Sequence, residues 1–365
     1  MVHIVIGTKA QFIKMYPVIK QLEERNIEFN FINLGQHSDT IRSLCREFGF
    51  SPSLQRSFSP GSDISSLAGG IVWMGKMAAK SFNKSWLRRH IFRGKKGICL
   101  IHGDTASTLL GLLMGKLAGI RVVHIEAGLR SYNMWEPFPE EIVRLLAMKF
   151  ADLLFAPSLW AYDNLCRMGY KRKAVLFSGN TSFDVFKLDL NDAVLPEGIS
   201  SPFALVSIHR MENIFSRRRL RIVVEVVKMA EKRFKVVFVQ HPPTARALCR
   251  FNMQEELEVL PNLTMFSLLA HRDFLGLLRH CELVITDGGS VQEEAYYLGR
   301  PCLLMRKATE RTEGIGENVF ISYMDSKRVE EFLKTYRSFE RGMIKGASPA
   351  QEIVDFLIRE RLVNG

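Results

Sequence analysis

Short runs of Val, Ile, Leu and Phe alternate with helix-length amphipathic segments along nearly the whole chain, and they do so in two series. The first series of apolar runs is Val2–Ile6, Phe29–Leu34, Ile98–Ile101, Val122–Ile125, Leu153–Phe155 and Ala174–Phe177. The second is Ala204–Ser207, Lys235–Val239, Leu263–Phe266, Leu283–Ile285 and Cys302–Met305. Segments such as Phe12–Glu24, Ser107–Leu117, Arg218–Lys232 and Val291–Leu298 carry the helical period between them. Strands that alternate with helices of this length predict parallel sheets. Runs apolar on both faces are what a sheet covered on both sides requires. The α/β class follows, in two halves. The stretch 188–201, rich in Asp, Asn, Gly, Pro and Ser, reads as a linker between a domain over 1–187 and a second over 202–348. The tail 349–365 reads as a helix that packs back on the first domain.

Composition adds one constraint. The 365 residues hold 50 Lys+Arg against 38 Asp+Glu, a formal charge of +12. Such an excess points to an anionic partner: nucleic acid, a membrane surface or a phosphorylated substrate. Much of it is local. No acidic residue lies between Asp63 and Asp104, whereas Lys76, Lys80, Lys84, Arg88, Arg89, Arg93, Lys95 and Lys96 do. The first four recur every fourth residue, which on one helix would put them on one face. Trp73, Met74, Met77, Phe82, Trp86, Leu87, Ile91 and Phe92 are interleaved with them. This reads either as a solvated cationic face over a buried stripe or as a helix lying in a membrane interface. The six cysteines are scattered, without metal or redox spacing, which suits a reducing cytosol. The chain opens on the strand His3-Ile4-Val5-Ile6 without a signal-like leader, and no apolar stretch approaches transmembrane length. No nucleic-acid motif is present, so the charge alone does not support a nucleic-acid partner.

The chemistry-bearing residues gather at predicted strand ends, the side on which open parallel sheets bind ligands. Ile98–Ile101 runs into His102-Gly103-Asp104-Thr105, and Val122–Ile125 into Glu126-Ala127-Gly128-Leu129-Arg130. Two adjacent strands thus each deliver a carboxylate suited to acid–base work. Glu140 and Glu141 open a helix after Pro137-Phe138-Pro139, where acidic residues also serve the helix dipole. The first strand ends in Gly7-Thr8-Lys9-Ala10-Gln11, with Lys14 one turn on, a glycine turn that suits an anion. In the second half, Thr286-Asp287-Gly288-Gly289-Ser290 precedes a helix carrying Glu294. Bare backbone N–H groups there can cradle phosphate, and Glu294 can accept ribose hydroxyls. The bland alternative is a tight turn capped by Ser290. His209-Arg210 and His241-Pro242 follow two further strands, and Arg306, Glu310, Arg311 and Glu313 cluster after another. There is no GxGxxG, no Walker A sequence and no metal-ligand spacing, so neither a dinucleotide cofactor nor an essential metal is expected. Tyr16 and Lys20 fit a Tyr-x-x-x-Lys spacing by chance.

Taken in order and at these spacings, the motifs resemble the non-hydrolysing UDP-N-acetylglucosamine 2-epimerases. The set runs through Gly7-Thr8, Ile13-Lys14-Met15, Gln36-His37, His102–Thr105, Glu126–Arg130, Pro139-Glu140-Glu141, Gly179-Asn180-Thr181, His209-Arg210, His241-Pro242, Gln292–Ala295, Leu298-Gly299 and Thr309–Arg311. The resemblance implies two Rossmann-like domains facing a central cleft, a glycosyltransferase-B-like fold. It implies a UDP-sugar as partner, no cofactor and a homodimer. It casts Asp104, Glu126 and Glu140 as the acid–base carboxylates, with His209 assisting. Ser290, Glu294 and Arg311 would hold UDP from the second domain, and Lys14 would face diphosphate or sugar from the first. Lys9, Arg210, His241, Gly288 and Gly289 complete the expected binding set.

The family's reaction explains why carboxylates and cations occur together. The hydrogen on carbon 2 of the sugar has no adjacent carbonyl to acidify it. UDP is therefore eliminated to a glycal, held, and added back as a proton reaches the opposite face. The developing diphosphate charge calls for Lys9, Lys14, Arg311 and the Gly288–Ser290 helix start. Departures are visible. Lys9 and Gln11 stand where the family has Arg and Glu, Ser290 is displaced from its usual place, and Thr312 replaces a proline. In the activator motif Gln36, Arg210 and His241 match, but Asp39 stands where a second glutamine is usual. The alternatives are a membrane-associated glycosyltransferase of the same fold and a hydrolysing 2-epimerase. The expected location is the cytoplasm, with peripheral contact at the inner face of the membrane through 73–96.

Overall fold

The structure, a computed structural model, describes residues 1–49, 55–57, 67–134 and 139–363. Asp63, Pro137 and Phe138 lie outside these residues. The chain divides into two compact units, Met1–Val185 with Gly346–Gly365, and Phe186–Lys345.

The first unit is built on a seven-stranded parallel sheet in the order β3-β2-β1-β4-β5-β6-β7. Its strands are β1 (Val2–Ile6), β2 (Phe29–Asn33), β3 (Gln55–Ser57), β4 (Ile98–His102), β5 (Arg121–Ile125), β6 (Leu153–Ala156) and β7 (Ala174–Leu176). The helices are α1 (Lys9–Glu24), α2 (Ser38–Glu47), α3 (Leu67–Ser81), α4 (Lys84–Trp86), α5 (Ala106–Ala118), α6 (Glu140–Phe150), α7 (Leu159–Arg167) and the start of α8 (Ser182–Asn191). Strand residues alternate between two cores, as the pleat dictates. Val2, Ile4 and Ile6 pack with Phe12, Met15, Val18 and Ile19 of α1, and the C-terminal helix (Pro349–Arg359) adds Ile353, Val354 and Leu357 to that side. Val5 and Ile32 pack on the other face with Trp73, Met77, Leu110 and Met114.

The second unit repeats the plan with a six-stranded parallel sheet, order β10-β9-β8-β11-β12-β13. Its strands are β8 (Phe203–Ser207), β9 (Lys235–Gln240), β10 (Leu263–Ser267), β11 (Leu283–Thr286), β12 (Cys302–Leu304) and β13 (Val319–Ile321). The helices are α9 (Met211–Ile214), α10 (Arg217–Glu231), α11 (Pro242–Arg250), α12 (Gln254–Glu258), α13 (His271–His280), α14 (Gly289–Leu298) and α15 (Ser326–Thr335), and the C-terminal helix of the first unit is α16. Ala204, Val206 and Ile208 pack on Val223, Val224 and Val227 of α10 and on Val329 and Phe332 of α15.

Three expectations change. The linker was expected from residue 188, but Leu188–Asn191 are the last residues of α8. Four cations were expected along one helix face. The helix instead stops at Ser81, and Asn83 caps a new turn by accepting from Trp86 N at 3.0 Å, so Lys84 and Arg88 are not on the helix that carries Lys76 and Lys80. Leu87–Ile91 then forms a π-helical turn. Strands β3 and β13, each of three residues, were not anticipated.

Candidate active site

In each sheet the strand order reverses at one point: between β1 and β4 in the first unit, and between β8 and β11 in the second. The loops leaving these strands diverge to opposite faces, and the crevice outside their carboxyl ends is the natural ligand position. The predicted site residues follow the strands at these two places or the strands beside them.

At the first, Gln11 stitches the diverging loops together. Its side-chain oxygen accepts from Gly7 N (3.0 Å), Thr8 N (3.2 Å) and Ser107 Oγ (2.8 Å), while its amide donates to His102 O (2.8 Å) and Thr108 Oγ1 (3.1 Å). Thr8 caps α1 in return, accepting from Gln11 N. The approach is close: a Cβ on Gly7 would lie 2.4 Å from Ser107 Cβ. The amide thus supplies β4 with a donor that a carboxylate would lack.

Glu126 follows β5 in the left-handed region, φ 67°, where a non-glycine residue is uncommon. Its carboxylate receives Lys14 Nζ at 2.7 Å and Asn180 Nδ2 at 2.5 Å, both on Oε1, and His102 Nε2 lies 3.6 Å from Oε2. Asp104, after β4, is held by Arg144: Nε donates to Oδ2 at 2.8 Å, and Nη2 lies 2.5 Å from the same oxygen. Arg144 is braced by fully buried Glu141, 3.5 Å from its Nη1. Glu141 also takes Arg130 Nε at 2.5 Å and Ser131 N at 3.1 Å, which fixes the loop after β5. Glu141 is therefore structural, whereas Glu140, its neighbour at the start of α6, is half-buried. His124 is buried, touches Gly103 O at 2.8 Å and is pushed down from its ordinary pKa by that burial. Lys9 is exposed, and its backbone N–H donates to His37 Nδ1 at 3.3 Å.

At the second place Asp287 does the stitching. Fully buried, it accepts from His209 N (2.9 Å), Arg210 N (3.1 Å) and Asn213 Nδ2 (2.9 Å), joining the loops after β8 and β11. Burial nonetheless pushes its pKa above the ordinary carboxylate value. The rings of His209 and His241 lie 4.4 Å apart, tilted by 33°. Burial, aided in His209 by the Arg210 charge and in His241 by His209, lowers each to about 4, so both rings are neutral at pH 7. A Cβ on Gly288 would sit 2.5 Å from His209 Cε1, so this glycine makes room for the histidine. A Cβ on Gly289 would sit 2.8 Å from Arg311 Nε.

Arg311 pairs with buried Glu293, and Gln292 donates to the carbonyls of Arg311 (3.1 Å) and Glu313 (3.0 Å). Arg210 Nη2 reaches Glu310 at 3.2 Å, and Arg306 reaches it at 3.0 Å. The N-cap of α14 is Gly288, which corrects the alternative of a Ser290 cap; Ser290 is exposed in the first turn, where backbone N–H groups have no intrahelical acceptor. Glu294, one turn on, lies 2.9 Å from His271 Nε2.

These two constellations, each at a sheet's reversal point, are the setting for the comparisons. The family model "UDP-N-acetylglucosamine 2-epimerase" matches residues 20–350. The chain belongs to the UDP-N-acetylglucosamine 2-epimerase family. A Methanocaldococcus jannaschii protein of that name is 30% identical, covering 94% of this chain and 95% of its own. A Pseudomonas aeruginosa UDP-2,3-diacetamido-2,3-dideoxy-D-glucuronate 2-epimerase is 32% identical, covering 87% of each. Among solved structures, the M. jannaschii epimerase in complex with UDP-GlcNAc and UDP superposes with a TM-score of 0.79 at 27% identity, covering 98% of this chain and 99% of that one. The fold is thus that of the epimerase family, two Rossmann-like units, and the chain is a nucleotide-sugar epimerase, an isomerase.

Within this family frame, the structure groups the expected residues as Lys14 with Glu126, His209 with His241 and Gly288, and Arg311 with Gly289. Asp104 and Arg210 stand in the loops after β4 and β8, Lys9, Glu140 and Ser290 in the first turns of α1, α6 and α14, and Glu294 one turn into α14. Sequence reasoning left without a role Arg144, Asn180, Gln11, Asp287, Glu293 and His271. Their partners lie up to 97 residues away in the chain, as between Gln11 and Thr108, and no local spacing announces them. Among the described residues no group of His, Cys, Asp and Glu is arranged to hold a metal ion.

Proposed function

We propose that this chain interconverts UDP-N-acetylglucosamine and UDP-N-acetylmannosamine, or the corresponding pair with a further acylamino or carboxyl substituent, by elimination and re-addition of UDP. What carries the reading is the pair of carboxylates at the first reversal point, each with its own cation: Glu126 with Lys14, and Asp104 with Arg144. A carboxylate takes the proton from carbon 2 as the carbon 1–oxygen bond breaks, and UDP leaves with the electron pair. The glycal is then protonated at carbon 2 from the other face while UDP returns to carbon 1. Inversion thus needs acid–base groups on two faces, the role assigned to Asp104, Glu126 and Glu140.

Lys14 has one ammonium for two anions. The substrate's diphosphate draws it from Glu126, and a carboxylate that loses its ammonium partner is a better base. Neutral His209 contributes hydrogen bonding rather than charge, leaving Lys9, Arg311 and the N-terminus of α14 to offset the leaving diphosphate. Relatives at 30% and 32% identity bear names for different sugars, so the substituents are decided by assay. Each candidate UDP-sugar is incubated with the chain and followed by NMR. Appearance of its 2-epimer supports the reading. Release of UDP with free sugar supports a hydrolysing enzyme instead.

We also infer that α3 and the turn after it meet an anionic bilayer face. Val72 and Phe82 are 56% and 66% exposed, and with Gly75 and Ala79 they share the side opposite buried Trp73 and Met77. Exposed Lys76, Lys80, Lys84, Arg89, Arg93 and Lys96 surround them. Apolar tips ringed by cations suit an anionic interface, while two copies of this face would set cation against cation. No helix among the described residues is long and apolar enough to cross a membrane. Salt-reversible flotation with phosphatidylglycerol vesicles, lost on Lys76→Glu with Lys84→Glu, is the expected result. Absence of flotation, or a dimer dissociated by Phe82→Asp, overturns it, the latter assigning this face to the homodimer that the family resemblance implies.

A further inference from the structure

Glu294 is engaged before any ligand arrives. Its Oε1 lies 2.9 Å from His271 Nε2, and the other ring nitrogen, Nδ1, lies 2.6 Å from Asp189 Oδ2. Both nitrogens face carboxylate oxygens, so both donate and the ring is an imidazolium. Burial opposes that charge, but the hydrogen bonds to Asp189 and Glu294 outweigh it and raise the ring to about 10. Three elements meet here: α8 supplies Asp189, the first residue of α13 supplies His271, and α14 supplies Glu294. Arg272 adds a second cation 3.7 Å from Asp189, which holds that carboxylate toward α13.

A glutamate side chain has three rotatable bonds, and it loses that freedom when it grips a ligand. Fixing one oxygen in advance removes part of the cost. Glu294 keeps only 13% of its side chain exposed.

We propose that His271 is a positioning residue: clamped by Asp189, it holds Oε1 of Glu294 so that the carboxylate is presented to the ribose hydroxyls of the UDP-sugar. This rests on reading Glu294 as the ribose acceptor. A purely structural ion pair between α13 and α14 would affect stability but not discrimination at the ribose.

The test compares binding of UDP and 2′-deoxy-UDP by calorimetry, alongside steady-state kinetics. His271→Phe is expected to weaken UDP about tenfold, the scale of a charge-assisted hydrogen bond, with 2′-deoxy-UDP within twofold. KM rises by a similar factor and kcat changes little. His271→Lys, which keeps a cationic donor, restores part of the preference. Asp189→Asn moves it in the same direction as His271→Phe and serves if that variant does not fold. Glu294→Gln monitors the ribose reading itself. If Glu294→Gln abolishes the preference for UDP but His271→Phe and Asp189→Asn leave it intact, the proposal is overturned and the ribose reading stands. If Glu294→Gln leaves the preference intact, the ribose reading fails and the proposal fails with it.

Discussion

Arg144 does more at the site than its position in the sequence suggests. It joins Asp104, 27% exposed at the side chain, to Glu141, which is fully buried. Arg144→Leu leaves a buried carboxylate with one partner fewer, and breaking such a pair costs about 3 kcal/mol. Denaturant titration is expected to show a loss of that order, and turnover is expected to fall by about a hundredfold as Asp104 loses its orientation. Unchanged turnover in a folded variant would remove Asp104 from the chemistry. The histidines give a second prediction. Burial depresses His3, His124, His209 and His241. The unfolded chain then binds protons that the folded one refuses, so their contribution is fully present above pH ~6.5 and is lost as pH falls below it, down to about 4 for His3, His209 and His241. Thermal melts across that range are expected to show falling Tm, with a shallower slope in His209→Phe. Asp104, Glu126 and His209 were legible because they stand just after apolar runs, and Lys14 because it lies one turn beyond the first loop; Arg144 and His271 were not, because their meaning lies in partners 40 and 23 residues away.

At the scale of elements, the strand ends govern everything. The main strands were legible from uninterrupted Val, Ile, Leu and Phe runs, whereas β13 is a three-residue edge strand too short to stand out. The break after α3 carried a signal that the charge pattern concealed: Asn83 is a good N-cap residue, and its side chain restarts the helix. A four-residue cation repeat says nothing about whether the helix is continuous. A tight junction between elements is Gly7 against Ser107, where the turn after β1 meets the start of α5. Gly7→Ala has no flexible neighbour to displace, and overpacking of this kind costs roughly 2 kcal/mol. A matching fall in stability, together with reduced turnover because Gln11 and Lys14 shift with the loop, is the expected outcome. A variant of native stability and activity would show that the loop is not held as described.

At the scale of the molecule, each unit carries its candidate ligand groups around the reversal point of its own sheet, and a buried polar side chain stitches each point: Gln11 in one, Asp287 in the other. Of the net charge of +12, which first suggests nucleic acid, eight cations lie in the acid-free stretch 76–96 on α3 and its sequel, whereas the cations at the two sites are balanced by carboxylates. The central claim is that carbon 2 loses and regains its proton while UDP leaves and returns. Incubation with UDP-N-acetylglucosamine or its substituted analogue in deuterated water tests it most directly. The account predicts deuterium at carbon 2 in both epimers, lost in Asp104→Asn and Glu126→Gln. A second epimer formed without deuterium at carbon 2 would contradict it.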